Sequence, residues 1–251
     1  MRYFLYIAYL GKSYSGWQTQ QNACSVQEVI EQVLSRLLAT KTRIHGSSRT
    51  DKGVHAQQQV AHFDAIKPID DVENLIYRLN RMLPIDISIT AIRPVQDDAH
   101  ARFDACYRIY EYAIVYHKNP FYAATTVWFY RLPPLPLLNQ IAALFCVQTD
   151  FEFFSKVSPQ VMTSVCTIKE AIWIDLGNSI IFRIKADRFL RGMVRIIVAT
   201  ILKVGYGTMS VETLSNWIRT KPAQRPLLTL VPSHGLTLTE IGYPERLFVE
   251  K

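Results

Sequence analysis

Apolar residues along this 251-residue chain repeat with two periods. Continuous or alternating runs mark strands, and recurrence every three to four residues marks helices. Arg2–Leu10 is rich in aromatics and reads as a buried strand, followed by a polar loop over Gly11–Cys24. Ser25-x-x-Glu28 forms a capping box ahead of Val26, Val29, Ile30, Val33, Leu34, Leu37 and Leu38, whose spacing predicts an amphipathic helix. Gln57–Asp64 predicts a strand, Asp70–Leu83 a helix ended by Pro84, and Asp86–Arg93 another strand. Beyond the polar stretch Pro94–Arg102, a long strand is expected over Tyr107–Tyr116 and a third helix over Leu135–Val147. Strands at Val165–Leu176 and Ser179–Ala186, helices over 188–204 and 210–220, and a strand at Gly235–Ile241 complete the pattern. Mixed elements with hairpin-like neighbours predict an α+β fold with mainly antiparallel sheet. The expected division is near residue 103, into halves 1–103 and 104–251.

A content of 49% hydrophobic and 20% charged residues argues against disorder. The start, MRYFLYIAYLGK, lacks the pattern of a secretory signal, and no apolar run reaches the ~18 residues of a membrane span. Cys24, Cys106, Cys146 and Cys166 form no C-x-x-C pair and are expected as free thiols in the cytoplasm. The formal net charge is +7, and it is concentrated. Residues 183–225 hold nine basic residues (Arg183, Lys185, Arg188, Arg191, Arg195, Lys203, Arg219, Lys221, Arg225) against Asp187 and Glu212, while the rest of the chain is neutral. A localised excess of this kind suits an acidic partner such as nucleic acid.

Four runs could carry chemistry. In Ser47-Ser48-Arg49-Thr50-Asp51-Lys52-Gly53-Val54-His55-Ala56, Asp51 stands beside Arg49 and Lys52, whose charges favour an ionised carboxylate able to act as base or nucleophile. An ordinary Asx-turn is the competing reading. Tyr110 and Tyr112, after His100-Ala101-Arg102-Phe103, share one strand face, where a tyrosine can stack on a base or simply pack. Arg188, Arg191 and Arg195 fall three and four apart and predict a basic helical stripe, with Arg183 and Lys185 on one face of the preceding strand. A solvated face is the alternative. Trp17, Gln18 and Gln20 in the first loop suit base recognition, although Trp17 could equally anchor the loop to the core. His62, inside a predicted strand, reads as a satisfied core or surface residue. Metal-ligand spacing, nucleotide-binding glycine motifs and hydrolase elbows are absent from the sequence.

The order of these runs resembles the tRNA pseudouridine synthase A family over nearly the whole length. Gly16-Trp17-Gln18-x-Gln20, Ser25-Val26-Gln27-Glu28, Arg49-Thr50-Asp51-x-Gly53-Val54-His55, Leu83-Pro84, His100-Ala101-Arg102-Phe103, Tyr110-x-Tyr112 and Phe189-Leu190-x-x-Met193-Val194-Arg195 follow in family order. The resemblance implies two α/β halves joined across a central active-site cleft. It also implies a cytoplasmic homodimer that needs no cofactor or metal and converts uridine to pseudouridine in the anticodon stem-loop of tRNA. It makes Asp51 the catalytic carboxylate, Tyr110 the stacking residue that takes the C5 proton, and Arg195 the partner of Asp51. Arg49 would fill the gap left by the flipped uridine. Trp17, Gln18, Lys52, His55, Arg102, Arg188 and Arg191 would complete the RNA contacts. Ser48, Ile196, Ala199 and Arg191-Gly192 depart from the family pattern. If the family's usual glycine supplied a positive φ, Ser48 would carry a backbone cost of about 1 kcal/mol. A non-catalytic tRNA-binding or RNA-folding protein on the same scaffold, and more remotely a hydrolase using Asp51, are the other readings.

Overall fold

The computed structural model describes residues 1–156, 163–220 and 229–249. Lys221 and Arg225, two of the basic residues counted above, lie outside the described residues. The fold is α+β with mainly antiparallel strands, in two compact units, Met1–Tyr107 with Leu238–Lys251, and Arg108–Thr237. A single cut near 103 leaves out the return of the last segment to the first unit.

The first unit opens with β1 (Arg2–Tyr9). A short 3-10 turn at Gly11–Ser13 leads towards α1 (Val26–Leu37). Ser25 caps α1 as its sequence predicts, its hydroxyl accepting the Glu28 N–H at 3.2 Å. Then come β2 (His45–Gly46), β3 (His55–Asp64), α2 (Val72–Met82) and β4 (Ile87–Val95). Asp71 caps α2 by accepting the Asn74 N–H at 2.9 Å. β1 pairs antiparallel with both β3 and β4, with Phe4 opposite His62 on one side and Arg93 on the other. The apolar stripes of α1 (Val26, Ile30, Leu34) and α2 (Val72, Leu75, Leu79) are buried, and α2 packs on β4 and on α1.

The second unit contains β5 (Tyr107–Val115), β6 (Val127–Trp128), α3 (Leu135–Cys146), β7 (Ile168–Asp175) and β8 (Ile180–Ala186). It continues with α4 (Met193–Gly205) and α5 (Val211–Thr220). The chain then closes with β9 (Leu236–Gly242), which lies beside β3. β8 pairs antiparallel with β5 and β7, while the short β6 runs parallel to β5. The side chains of α4 are buried almost all round, which makes it the core helix of this unit.

One expected element starts later than its spacing suggests. The predicted helix over 188–204 begins only at Met193. Gly192, at its N-cap, has φ 71°, a left-handed conformation that no continuous helix passes through. Arg188 and Arg191 therefore precede the helix on an irregular segment, and the three-arginine helical stripe is corrected to Arg195 alone on α4.

Candidate functional site

The Asp51 loop is built from the surrounding strands inward. Residues 51–54 form a turn in which the Val54 N–H donates to the Asp51 carbonyl at 3.1 Å. Gly53, with φ 80°, occupies the position such a turn reserves for a left-handed residue. Upstream, the Ser47 N–H donates to Val60 O at 2.8 Å, and the Ser47 hydroxyl donates to Gln59 Oε1 at 3.0 Å. The Gln59 amide in turn donates to Ser48 O at 2.8 Å. Tyr9 Oη and Thr50 Oγ1 are hydrogen-bonded at 2.8 Å, and the Trp17 N–H donates to Thr50 O at 3.2 Å. Ser47, Thr50 and Gln59 are all buried, so their bonds are costly to leave unmade. Asp51 is half-buried at the tip, flanked by exposed Arg49 and Lys52. The feared cost at Ser48 does not arise. Among the described residues, the non-glycine positions with positive φ are Asn22 and Ala39.

Two residues assigned to RNA contact serve the framework instead. Trp17 is 2% exposed. Its ring lies 6.0 Å from that of Tyr9, and its indole edge fills the space where a side chain at Gly46 would stand. The anchoring alternative for Trp17 fits this geometry, because its ring packs beside Tyr9 and against the Gly46 backbone. His55 is likewise 2% exposed, and its Nδ1 accepts the Gly11 N–H at 3.0 Å. His55 opens β3 rather than sitting in the loop. Gln18 is exposed, as RNA contact requires, and so is Arg102, whose guanidinium carbon lies 5.6 Å from the Phe103 ring centre.

In the second unit, β5 turns Tyr110 and Tyr112 inward, 6% and 0% exposed. The Tyr110 ring meets Phe189 edge-on, at 5.2 Å and 88°. Arg195, half-buried in the first turn of α4, donates from Nε to Val231 O at 2.8 Å. This contact ties the arginine to the segment ahead of β9. The Tyr112 hydroxyl is buried and has no hydrogen-bond partner among the described residues. Burial pushes its pKa up, and the Arg195 charge opposes that shift. Arg183 and Lys185 do share one face of β8. Arg183, however, sits 3.2 Å from Glu170 and 3.6 Å from Glu111, so its charge is partly met within the sheet. Arg188 is half-buried and Arg191 exposed on the segment leading into α4. The sequence reading missed the loop's supports, Tyr9 and Gln59. Gln59 is the last of three consecutive glutamines in β3, and its burial is what sets it apart from the other two.

The four cysteines are free, and among the described residues no helix is long and apolar enough to cross a membrane. The same residues hold no cluster of three or more His, Cys, Asp or Glu fit for a metal ion.

A family model described as tRNA pseudouridine synthase matches residues 5–104 and 141–244, which takes in the Asp51 loop, Arg195 and α4. The chain belongs to the tRNA pseudouridine synthase family, whose members are isomerases. Among its relatives, a protein of Parabacteroides distasonis named "tRNA pseudouridine synthase A" is 43% identical over 250 residues, covering 98% of each chain. The protein of the same name from Porphyromonas gingivalis is 42% identical over 99% of each chain. That from Chlorobaculum tepidum is 36% identical over 94% of this chain and 96% of its own.

Proposed function

We propose that this protein isomerises uridine to pseudouridine in the anticodon stem-loop of tRNA, with Asp51 as the catalytic carboxylate. The observation that carries the reading is the Asp51 turn, a carboxylate between two cations on a loop fixed by buried hydrogen bonds from β1, β3 and the first loop. Rigid support of this kind is what a group must have to meet one atom of a flipped nucleotide. The reaction breaks the glycosidic C1′–N1 bond, turns the base, forms a C1′–C5 bond, takes the proton from C5 and places one on N1. Atoms and electrons balance within the substrate, so no cofactor enters. Tyr110 stacks on the base and takes the C5 proton, while Arg195 holds the carboxylate charged and oriented. Arg49 occupies the place the uridine leaves. Gln18, Lys52, Arg102, Arg188 and Arg191 bind the RNA, chiefly through phosphates, which set register rather than sequence.

Chemical mapping of pseudouridine on unmodified tRNA incubated with the protein tests the activity. Modified uridines in the anticodon arm are expected, and folded protein that binds tRNA without forming product would refute the reading. Tyr110→Phe should lower turnover by roughly 10²-fold or more while tRNA affinity changes little, since the ring stays and only the proton acceptor goes. Comparison of single-turnover rates with filter binding separates the two effects.

The protein is proposed to act in the cytoplasm as a homodimer. Support for the dimer is a group of exposed aromatics in the second unit: Phe121 at 93%, Tyr130 at 86%, Tyr122 at 56% and Trp128 at 52%. All four lie within ten residues of sequence, and exposed apolar area that is contiguous marks an interface. Phe121→Asp combined with Tyr130→Asp should convert a two-chain species to a one-chain species in light scattering. A double variant that stays dimeric would place the interface elsewhere.

A further inference from the structure

Three imidazoles form a column in the first unit. His45 of β2 stacks on His62 of β3 at 5.0 Å and 25°, and His62 meets the edge of His100 at 4.5 Å and 63°. His100 lies 4.3 Å from Phe103, whose ring is 74% exposed. One nitrogen each of His62 and His100 accepts from one short segment. His62 Nδ1 accepts the Ala101 N–H at 3.2 Å. His100 Nδ1 accepts the Arg102 N–H at 3.1 Å and the Phe103 N–H at 3.4 Å. An imidazole accepts at Nδ1 only when that nitrogen carries no proton, so these contacts require both rings neutral, with hydrogen on Nε2. Protonation would set N–H against N–H in each case.

We propose that His62, with His100 behind it, is the positioning residue of the 100–104 segment, latching it so that Arg102 and Phe103 face the RNA. The RNA-facing part rests on the reading of Arg102 as an RNA contact. The charged neighbours are few. Arg2 of β1 donates to Ala99 O at 3.0 Å and pairs with Asp64 of β3 at 2.8 Å, and Asp104 accepts the His100 N–H at 2.7 Å. His100 opposes a positive charge on His62, and Arg2 and His45 oppose one on either ring, whereas Asp64 favours one on His62 and Asp104 one on His100. Burial acts with the positive groups and outweighs the two carboxylates. It brings His62 down from 6.5 to about 4 and also lowers His100.

The sign follows from linkage. The latched segment resists protonation, while a released imidazole titrates near its ordinary value. The latch is therefore whole at neutral pH and weakens as pH falls from 6.5 towards 4. Near pH 5.5 release should be favoured on the order of tenfold relative to neutral pH. Simple electrostatics predicts the opposite for binding, because a basic protein gains charge on acidification and should hold RNA more tightly.

The test is tRNA affinity at about pH 7.5 and about pH 5.5 for the wild type, His62→Asn and Arg102→Ala, with amide exchange of Ala101, Arg102 and Phe103 in the RNA-free protein. Wild-type affinity should fall several-fold on acidification. The three amides should lose about tenfold in protection once intrinsic rates are corrected. His62→Asn places a non-titrating oxygen where Nδ1 stood, so it should keep neutral-pH affinity and cut the pH response to the share that His100 carries. Amides that stay protected near pH 5.5, or an Asn variant that keeps the wild-type response, would overturn the latch. If the amides respond but Arg102→Ala binds tRNA like wild type, the latch stands and the RNA contact fails.

Discussion

Asp51→Asn is expected to abolish pseudouridine formation, lowering turnover by about three orders of magnitude or more, in a protein that still folds and still binds tRNA. The substitution keeps the size and planarity of the side chain. The turn depends on backbone atoms, the Asp51 carbonyl and the Val54 N–H, and on the left-handed Gly53. None of these changes. On the proposed reading, what disappears is the charge that would attack C1′ or C6 or assist a glycal route, so all three routes predict the same loss. Affinity should hold or rise slightly, because a negative charge is removed from beside the RNA. Single-turnover assays with mapped tRNA, run beside binding measurements, check the pair. Turnover within tenfold of wild type would assign the chemistry to another residue.

Gly16→Ala carries the second large effect, and here the cause is backbone geometry. Gly16 has φ 98°, a region that side-chain-bearing residues rarely enter. A Cβ at this position would stand 2.6 Å from the Thr50 carbonyl oxygen and 3.2 Å from the Asp51 carbonyl carbon. Both neighbours are backbone atoms, with no flexible end to swing aside. Strain of this kind costs on the order of 1–3 kcal/mol. In a chain of this size that corresponds to a melting temperature lower by roughly 2–12 °C. Relief by moving the 50–51 backbone would displace the carboxylate, and about 1 Å of misplacement can cost ~10²-fold in rate. Loss of turnover with little change in tRNA affinity is expected, read by calorimetry and the same kinetic assay. Wild-type stability and rate in this variant would show that the first loop does not hold Asp51 in place.

Much of the molecule was legible in its sequence, for identifiable reasons. The first helix was found almost to the residue because the Ser25 capping box announces α1 chemically, and the second within two residues because its apolar spacing runs up to Pro84. Long strands were found because β1, β5 and β8 bury runs of large apolar residues. The two-residue strands β2 and β6 were not found, since their pairing depends on partners distant in sequence. The start of α4 was misplaced because three- and four-residue spacing continues upstream through Arg188 and Arg191, while the break rests on the φ of one glycine. The site was legible in residue types and not in their roles. Trp17 and His55 have the right chemistry for RNA, and only burial shows that they spend it on the loop. The same holds for His62, whose acceptor role appears only once the 100–104 segment is folded against it.

The first unit is discontinuous in the chain, and this has a consequence for the order in which the protein can be made. β3, the strand that follows the Asp51 loop, has β9 as its neighbour, and Gln58 of β3 donates to Ile241 O at 3.1 Å. The Cys106 N–H donates to Gly242 O at 2.8 Å, and the Gln96 N–H donates to Leu247 O at 2.9 Å. These partners leave the ribosome only after the whole of Arg108–Thr237 has been synthesised. The intervening unit can fold as an insertion while the first waits with one side of β3 unpaired. The sheet that carries the Asp51 loop is therefore completed last, although its residues are made first.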